Sequence, residues 1–349
     1  MMRSYVFPGD IAPRIMAIGS EPIPYMRTQE FSDINLESER ILLDLIHCTG
    51  GRCIIYTGSG TGAMSAVVEN YVSTRRKALV IDGGSFGHRW YDLCRYYDVP
   101  VVHFEVPFAR DIDYDELENR IRLERPDTLL CQHHETSSGA LFDLERISAI
   151  CHRWDVSVVA DVISSFLAEE LDMDRLDLDI CITSTQKGLN IPPGLSILFF
   201  SRKLDNYPFA HRGYYWDFEE NFSNLRRGQT PFSPATTLYL QLHERLLQLQ
   251  EQGGPDLNIA EVRHRCRVFR ALCKEYGWDI PAEVPSSAIT GFQTGDKERK
   301  VFRGLIDQFQ TFIMPGSRPG FYRVSHMGLQ SDRDLRELAE RIHQLEVHA

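Results

Sequence analysis

Three stretches of this chain carry groups able to act on a small molecule. Lys187 stands in a polar turn between apolar runs at 180–183 and 195–200, and a Pro192-Pro193-Gly194 corner stiffens the return. A loop lysine is ordinarily solvated, but two buried-strand signals around a rigid corner hold one amine at a fixed place. Asp161 ends the apolar run Val156-Ser-Val-Val-Ala160, where it either caps a helix or presents a carboxylate to a ligand. Gly58-Ser-Gly-Thr61 follows strand-like Cys53-Ile-Ile-Tyr56 and opens a helical pattern. Its backbone N–H groups suit a phosphate, although a tight turn with a Ser/Thr cap has the same look.

The elements that must position these groups alternate. Helical spacing at 31–47, 63–71, 86–97, 114–122 and 144–154 is interleaved with strand-like runs at 53–56, 78–81, 99–106, 128–132 and 156–160. Strand–helix alternation of this kind predicts an α/β fold, a mostly parallel central sheet with helices on both faces. Ligands then bind beyond the carboxyl ends of the strands, which is where all three stretches lie. Residues 207–230 read as aromatic and irregular (Tyr214, Tyr215, Trp216, Phe218, Phe222). Long helices at 235–252 and 257–276 follow, then strands near 288–293 and 321–324 and helices at 297–308 and 332–347. We expect an N-terminal arm (1–20), a large domain (21–240) and a smaller C-terminal α+β domain (241–349).

Composition excludes several classes. The formal net charge of −11, with no basic run to offset it, argues against nucleic acid and anionic membrane as partners. The eight cysteines are scattered, with no Cys-x-x-Cys pair and no zinc-ligand spacing, as expected for reduced thiols of a cytoplasmic protein. No signal core and no run of transmembrane length is present, so the expected partners are small molecules.

An amine for a Schiff base, a carboxylate for a pyridine nitrogen and an anion cradle are together the requirements of pyridoxal 5'-phosphate. The motifs resemble a known group. Ser184-Thr-Gln-Lys-Gly-Leu-Asn-Ile-Pro-Pro-Gly194 is similar to the lysine motif of alanine–glyoxylate aminotransferases, in the class V group of fold-type I enzymes. His134-Glu-Thr-Ser-Ser-Gly139, Val159-Ala-Asp-Val-Ile-Ser-Ser-Phe166 and Gly84-Ser-Phe-Gly-His-Arg89 resemble further motifs of that group. Phe312-Ile-Met-Pro-Gly316 and Tyr322-Arg-Val-Ser-His-Met-Gly328 look more like 2-aminoethylphosphonate–pyruvate transaminase.

The resemblance implies roles. Lys187 would carry the cofactor and act as general base and acid, and Asp161 would hold the proton on the pyridine nitrogen. Ser59, Gly60, Thr61 and Gln186 would hold the phosphate. Phe86 would stack on one ring face, Ile163 would pack under the other, and Ser137 would bond the phenolic oxygen. Thr230 would reach the phosphate of a neighbouring subunit, making a homodimer part of the active site. Arg323 would bind the substrate's carboxylate or phosphonate. The implied reaction moves an amino group from an alanine- or serine-like donor to a 2-oxo acid such as pyruvate or glyoxylate, with 2-aminoethylphosphonate as the alternative donor. A pyridoxal-phosphate lyase or cysteine desulfurase on the same fold is a further reading, disfavoured by Gln186 and by Cys266 and Cys273 lying at helical spacing. Arg227, and the Tyr214–Phe218 segment as pocket wall or dimer interface, stay open.

Overall fold

The computed structural model describes residues 2–296 and 298–347. Its centre is a seven-stranded sheet built from Arg52–Thr57 (β1), Ala78–Asp82 (β2), Val101–Glu105 (β3), Thr128–Gln132 (β4), Ser157–Asp161 (β5), Ile180–Ser184 (β6) and Leu195–Phe200 (β7). The order across the sheet is β1-β7-β6-β5-β4-β2-β3, and β7 runs antiparallel to both neighbours while the other pairings are parallel. β6 and β7 are buried along their whole length, as strands covered on both faces must be. Alternation then sorts side chains by face. Leu79, Ile81, Leu129, Cys131, Val158 and Ala160 enter one apolar cluster, and Ala78, Val80, Leu130 and Val159 enter the other.

The helices Gln29–Leu45 (α1), Gly60–Asn70 (α2), Ser85–Tyr96 (α3), Tyr114–Glu124 (α4) and Leu144–Arg153 (α5) cover these faces. Thr28, Ser59, Asp113 and Asp143 cap α1, α2, α4 and α5, each side chain accepting from an N–H three residues on. Losing one such cap costs about 1 kcal/mol. The stretch expected to be irregular holds one more helix, Phe218–Leu225 (α6), capped by Asp217. Phe218 and Phe222, one helical turn apart, both pack on Phe200, so tertiary aromatic contact supplies what local periodicity lacks.

The C-terminal part contains Thr236–Glu251 (α7), Pro255–Glu275 (α8), Ile289–Gln293 (β8), Lys300–Phe309 (α9), Met314–Pro315 (β9), Phe321–Ser325 (β10) and Asp332–Val347 (α10). β8, β10 and β9 form an antiparallel sheet. The expected start of α9 at Lys297 lies outside the described residues; the helix begins at Lys300, where Asp296 accepts from the Lys300 and Val301 N–H groups. Tyr239, Leu242, Leu246 and Leu249 of α7 belong to the core of the large sheet. A division at residues 240/241 would cut this helix, so we propose the Gly253-Gly254 turn as the boundary. The arm crosses between the two parts. Arg3 and Ser4 pair with Thr311 and Phe312, Tyr5 joins the C-terminal core, and Pro8 O accepts from Asn190 Nδ2 at 2.6 Å in the Lys187 loop.

Candidate active site

Lys187 lies between β6 and β7 on a loop that closes on itself. Thr185 Oγ1 donates to Pro192 O (2.9 Å), Asn190 N–H to Lys187 O (2.9 Å) and Ile191 N–H to Thr185 O (3.2 Å). Gly188 seats the loop, because a Cβ there would fall within van der Waals contact of Phe166 O and Leu167. Asp161 ends β5, the strand beside β6, and its Oδ1 accepts from Ile163 N–H at 2.9 Å. α2 starts at Gly60; Ser59 accepts from Gly62 N–H as its cap, and Ser59, Gly60 and Thr61 at this helix start line the same place. These three elements bound a cavity of about 160 Å³ lined by Lys187, Asp161, Ser59, Gly60, Thr61, Phe86, Ile163 and Gln186, with Phe7, Met64, Arg89, His134, Thr136, Ser164 and Ser184 completing the wall. One water needs roughly 10–15 Å³, so the space suits an organic group. A larger groove of about 610 Å³ beside Glu170, Arg175 and Arg263 contains none of the expected residues.

Burial dominates the electrostatics. It draws the Lys187 ammonium down from 10.5 to about 7, with Asp161 and Glu135 opposing and Arg323 assisting. It pushes the Asp161 carboxyl up from 3.8 to about 7, with the Ile163 N–H and the Lys187 and Arg89 charges pulling against it. Lys187 Nζ sits 3.0 Å from the centroid of the Phe7 ring, a cation–π contact delivered by the N-terminal arm. Arg89 Nη1 donates to Thr61 Oγ1 (2.9 Å), and its guanidinium lies 4.9 Å from the Phe86 centroid, which puts a cation beside the anion cradle. His134 Nδ1 bonds Ser164 Oγ (2.8 Å) while its Nε2 is buried without a partner; burial lowers this imidazole to about 3, so it is neutral at physiological pH.

Eight of the expected residues therefore meet at one cavity, and three lie apart. Ser137, expected at a phenolic oxygen, points elsewhere. Its Oγ donates to Glu135 Oε1 (2.5 Å) and accepts from Ser85 N–H (3.1 Å), and Thr136 lines the cavity instead. Glu135 also accepts from the Phe86 and Gly87 N–H groups, so it anchors the positive end of α3. Arg323 reaches from β10 to the Thr136 carbonyl (2.9 Å) and to Pro315 O (3.0 Å), with a buried, unpaired Nε. Thr230 Oγ1 donates to Phe232 O (2.7 Å) beside Tyr56 and Tyr215, away from this chain's own cavity. Trp216 packs on Gly58 and Gly62 at the back of the cradle, Tyr214 is exposed, and exposed Arg227 bonds Asn224. Sequence reading assigned no role to Phe7, Arg89, His134, Thr136 or Ser164. The strand His134–Glu135 ends in a turn over 136–139, and the turn brings Thr136 to the cavity beside His134, a placement no local periodicity signals.

The chain matches the class-V aminotransferase family model over residues 25–214. It is 28% identical to the soluble hydrogenase 42 kDa subunit of Anabaena cylindrica, over 92% of this chain and 86% of that protein. Among solved structures, it superposes on the subgroup IV aspartate aminotransferase of Thermus thermophilus with a TM-score of 0.90, at 24% identity over 99% of this chain and 98% of that one. The alanine–glyoxylate aminotransferase of Nostoc sp. gives 0.91, at 21% identity over 99% and 95%. With the family model spanning more than half of the 349 residues, and with a fold-type I architecture along its whole length, the chain belongs to the class-V aminotransferases.

Proposed function

We propose that the chain moves an amino group from a small alanine- or serine-like donor to a 2-oxo acid such as pyruvate or glyoxylate, with pyridoxal phosphate held in the cavity beside Lys187. The observation that carries this reading is the pair of buried groups, Lys187 and Asp161, facing one space at the mouth of a helix N-terminus. The residues present fit the cofactor that the family implies. Ser184 Oγ and His134 Nε2 are buried without partners on the cavity wall, and at Gly60 a Cβ would press on Ile163. Ser59, Gly60, Thr61 and Gln186, with Arg89 beside them, would hold the phosphate. Phe86 and Ile163 would flank the ring. When bound, the cofactor supplies an electron sink for the bond broken at the substrate's Cα.

The protein's part is proton control and orientation. Asp161, kept from water at the end of β5, holds a proton at a ring nitrogen. Lys187, which burial leaves able to be neutral near pH 7, takes the proton from the substrate's Cα and gives it back. Arg323 orients the substrate through its carboxylate, and Phe7 excludes water from above Nζ. The small cavity walled by Met64, Phe86 and His134 supports a short donor. Thr230 would complete the phosphate site of a second copy, making the homodimer the working unit. A 2-aminoethylphosphonate donor is the second reading, since the Tyr322-to-Gly328 motif is shared with that transaminase class and an Arg323 fork suits phosphonate as well.

A half-reaction screen tests this. The cofactor-loaded protein is mixed with single amines, and the visible band of the Lys187-attached cofactor is followed. Alanine or serine should bleach it, and a 2-oxo acid should restore it. Bleaching by 2-aminoethylphosphonate alone selects the second reading. A band unaffected by every amine, and equally present in Lys187→Ala, overturns both.

A further inference from the structure

Asp82, His88 and His103 form a cluster outside the cofactor cavity, at the carboxyl end of β2, in the first turn of α3 and at the middle of edge strand β3. Their ligand atoms lie within 4.8 Å of one another. Asp82 Oδ2 meets His88 Nδ1 at 2.8 Å and His103 Nε2 at 2.7 Å. We propose that these three side chains bind one divalent transition-metal ion of the zinc class, with water completing the coordination.

Three observations support a built site. The donor set, two imidazoles and one carboxylate, is the borderline nitrogen and oxygen chemistry that zinc, cobalt and nickel prefer. A tetrahedral ion with bonds of about 2.0–2.1 Å places its ligand atoms roughly 3.3 Å apart, so the two Asp82–histidine separations have to open by about half an ångström, while the two imidazole nitrogens already lie within 4.8 Å of each other. A carboxylate lies behind each imidazole. His103 Nδ1 faces the exposed Glu105 Oε1 at 3.2 Å, the exposed Asp92 Oδ1 lies 3.6 Å from His88 Nε2, and Asp82 Oδ1 accepts from Gly84 N–H at 3.2 Å. Glu105 is the one near enough to orient its imidazole, the kind of support that metal-bound histidines use. The Tyr91 ring stacks on His103 with centroids 4.1 Å apart, which further restrains the ring. Access is open as well, because the His88 side chain is 53% exposed while that of Asp82 is 11% exposed.

The position has a consequence for the fold. An ion here ties the edge strand β3 to the start of α3, the helix that carries Phe86 and Arg89 to the cofactor cavity.

The test uses the full, untagged, chelator-washed chain titrated with Co(II), whose visible d–d absorption reports bound nitrogen and oxygen ligands, followed by Zn(II) displacement. One equivalent should bind and give the band. His88→Gln and His103→Gln should each abolish it, and Glu105→Gln should raise the dissociation constant about tenfold. Lys187→Ala should leave the titration unchanged, which separates this site from the cofactor. No saturable equivalent in the parent, or a band retained in either histidine variant, overturns the proposal. Near-identical far-UV circular dichroism of the variants confirms that lost binding is not lost folding.

Discussion

Replacing Lys187 with methionine should stabilise the cofactor-free protein, because the buried ammonium is held against its ordinary preference. A drop from 10.5 to about 7 corresponds, at pH 7, to about 4 kcal/mol that folding loses by taking this amine out of water. That figure is an upper bound. Phe7 returns about 0.5–2 kcal/mol through its ring face; the attraction of Asp161 and Glu135 is already contained in the drop to about 7, and Asp161 loses its cation in the variant. Methionine fills nearly the same volume without a charge, so a net gain of about 2–3 kcal/mol is expected. The pH dependence carries the sign. Below pH 7 both folded and unfolded chains hold the proton, and the variant's advantage is constant. Between pH 7 and 10.5 the folded lysine is neutral while the unfolded one still binds a proton, so the parent gains stability and the advantage shrinks to nothing. Urea denaturation of both cofactor-free proteins at pH 6.5, 8.5 and 10 measures this; with a slope of about 3 kcal/mol/M, the midpoint should differ by roughly 1 M at the lowest pH. A variant no more stable than its parent at pH 6.5, or a difference that does not shrink with rising pH, would refute the burial argument.

Gly60→Ala places a methyl against Ile163 Cδ1 and drives it toward the cavity; cofactor affinity should fall about tenfold with little change in melting, and Ile163→Val in the same chain should restore it, as read by absorbance titration. Arg323→Ala should raise KM for carboxylate or phosphonate donors far more than it lowers cofactor affinity, so unchanged KM in steady-state assays would remove Arg323 from the substrate site. At Asp296, burial pushes the carboxyl up, and the Tyr322, Val301, Lys300 and Glu298 donors outweigh it to leave the group below 3.8. Its contribution is therefore present above pH 3.8 and lost as pH falls through the lower folded value. Asp296→Asn should cost about 1–3 kcal/mol at pH 7 and abolish that acid-side dependence in denaturation curves.

Much of this molecule is legible in its sequence for a physical reason. Central strands buried on both faces leave continuous apolar runs, and the residues that follow them must lie at one edge of the sheet, so Lys187, Asp161 and the Gly58–Thr61 turn announce a shared site. What is not legible depends on distance along the chain or on how a turn folds. Phe7 reaches Lys187 only because Arg3 and Ser4 pair with Thr311 and Phe312, a contact no local pattern encodes. Ser137 and Thr136 are neighbours in the turn that follows His134–Glu135, and the turn's fold back on the Glu135 carbonyl sends Ser137 to the Glu135 carboxylate and Thr136 to the cavity, a choice a motif match does not encode. Helix α6 has too short a periodic stretch to stand out and forms because Phe200 and Phe209 receive its two phenylalanines.

The two central groups converge for a common cause. Lysine and aspartate ordinarily titrate far apart, and partners in a well-solvated ion pair would move further apart still, each charge stabilising the other. Here Lys187 falls to about 7 and Asp161 rises to about 7, which happens only where the cost of burying either charge exceeds their mutual attraction. Burial moves the two groups toward each other, so the proton's position belongs to the pair rather than to either residue. On the proposed function, a phosphate held at the α2 N-terminus would add negative charge to this balance, and Arg89 beside Thr61 would offset it. A lysine that must release a proton and recover it within one turnover needs both forms within reach near neutral pH. On the proposed function, the same burial that costs the empty fold stability is what makes the amine usable, and it accounts for a lysine placed on the loop that follows a fully buried strand.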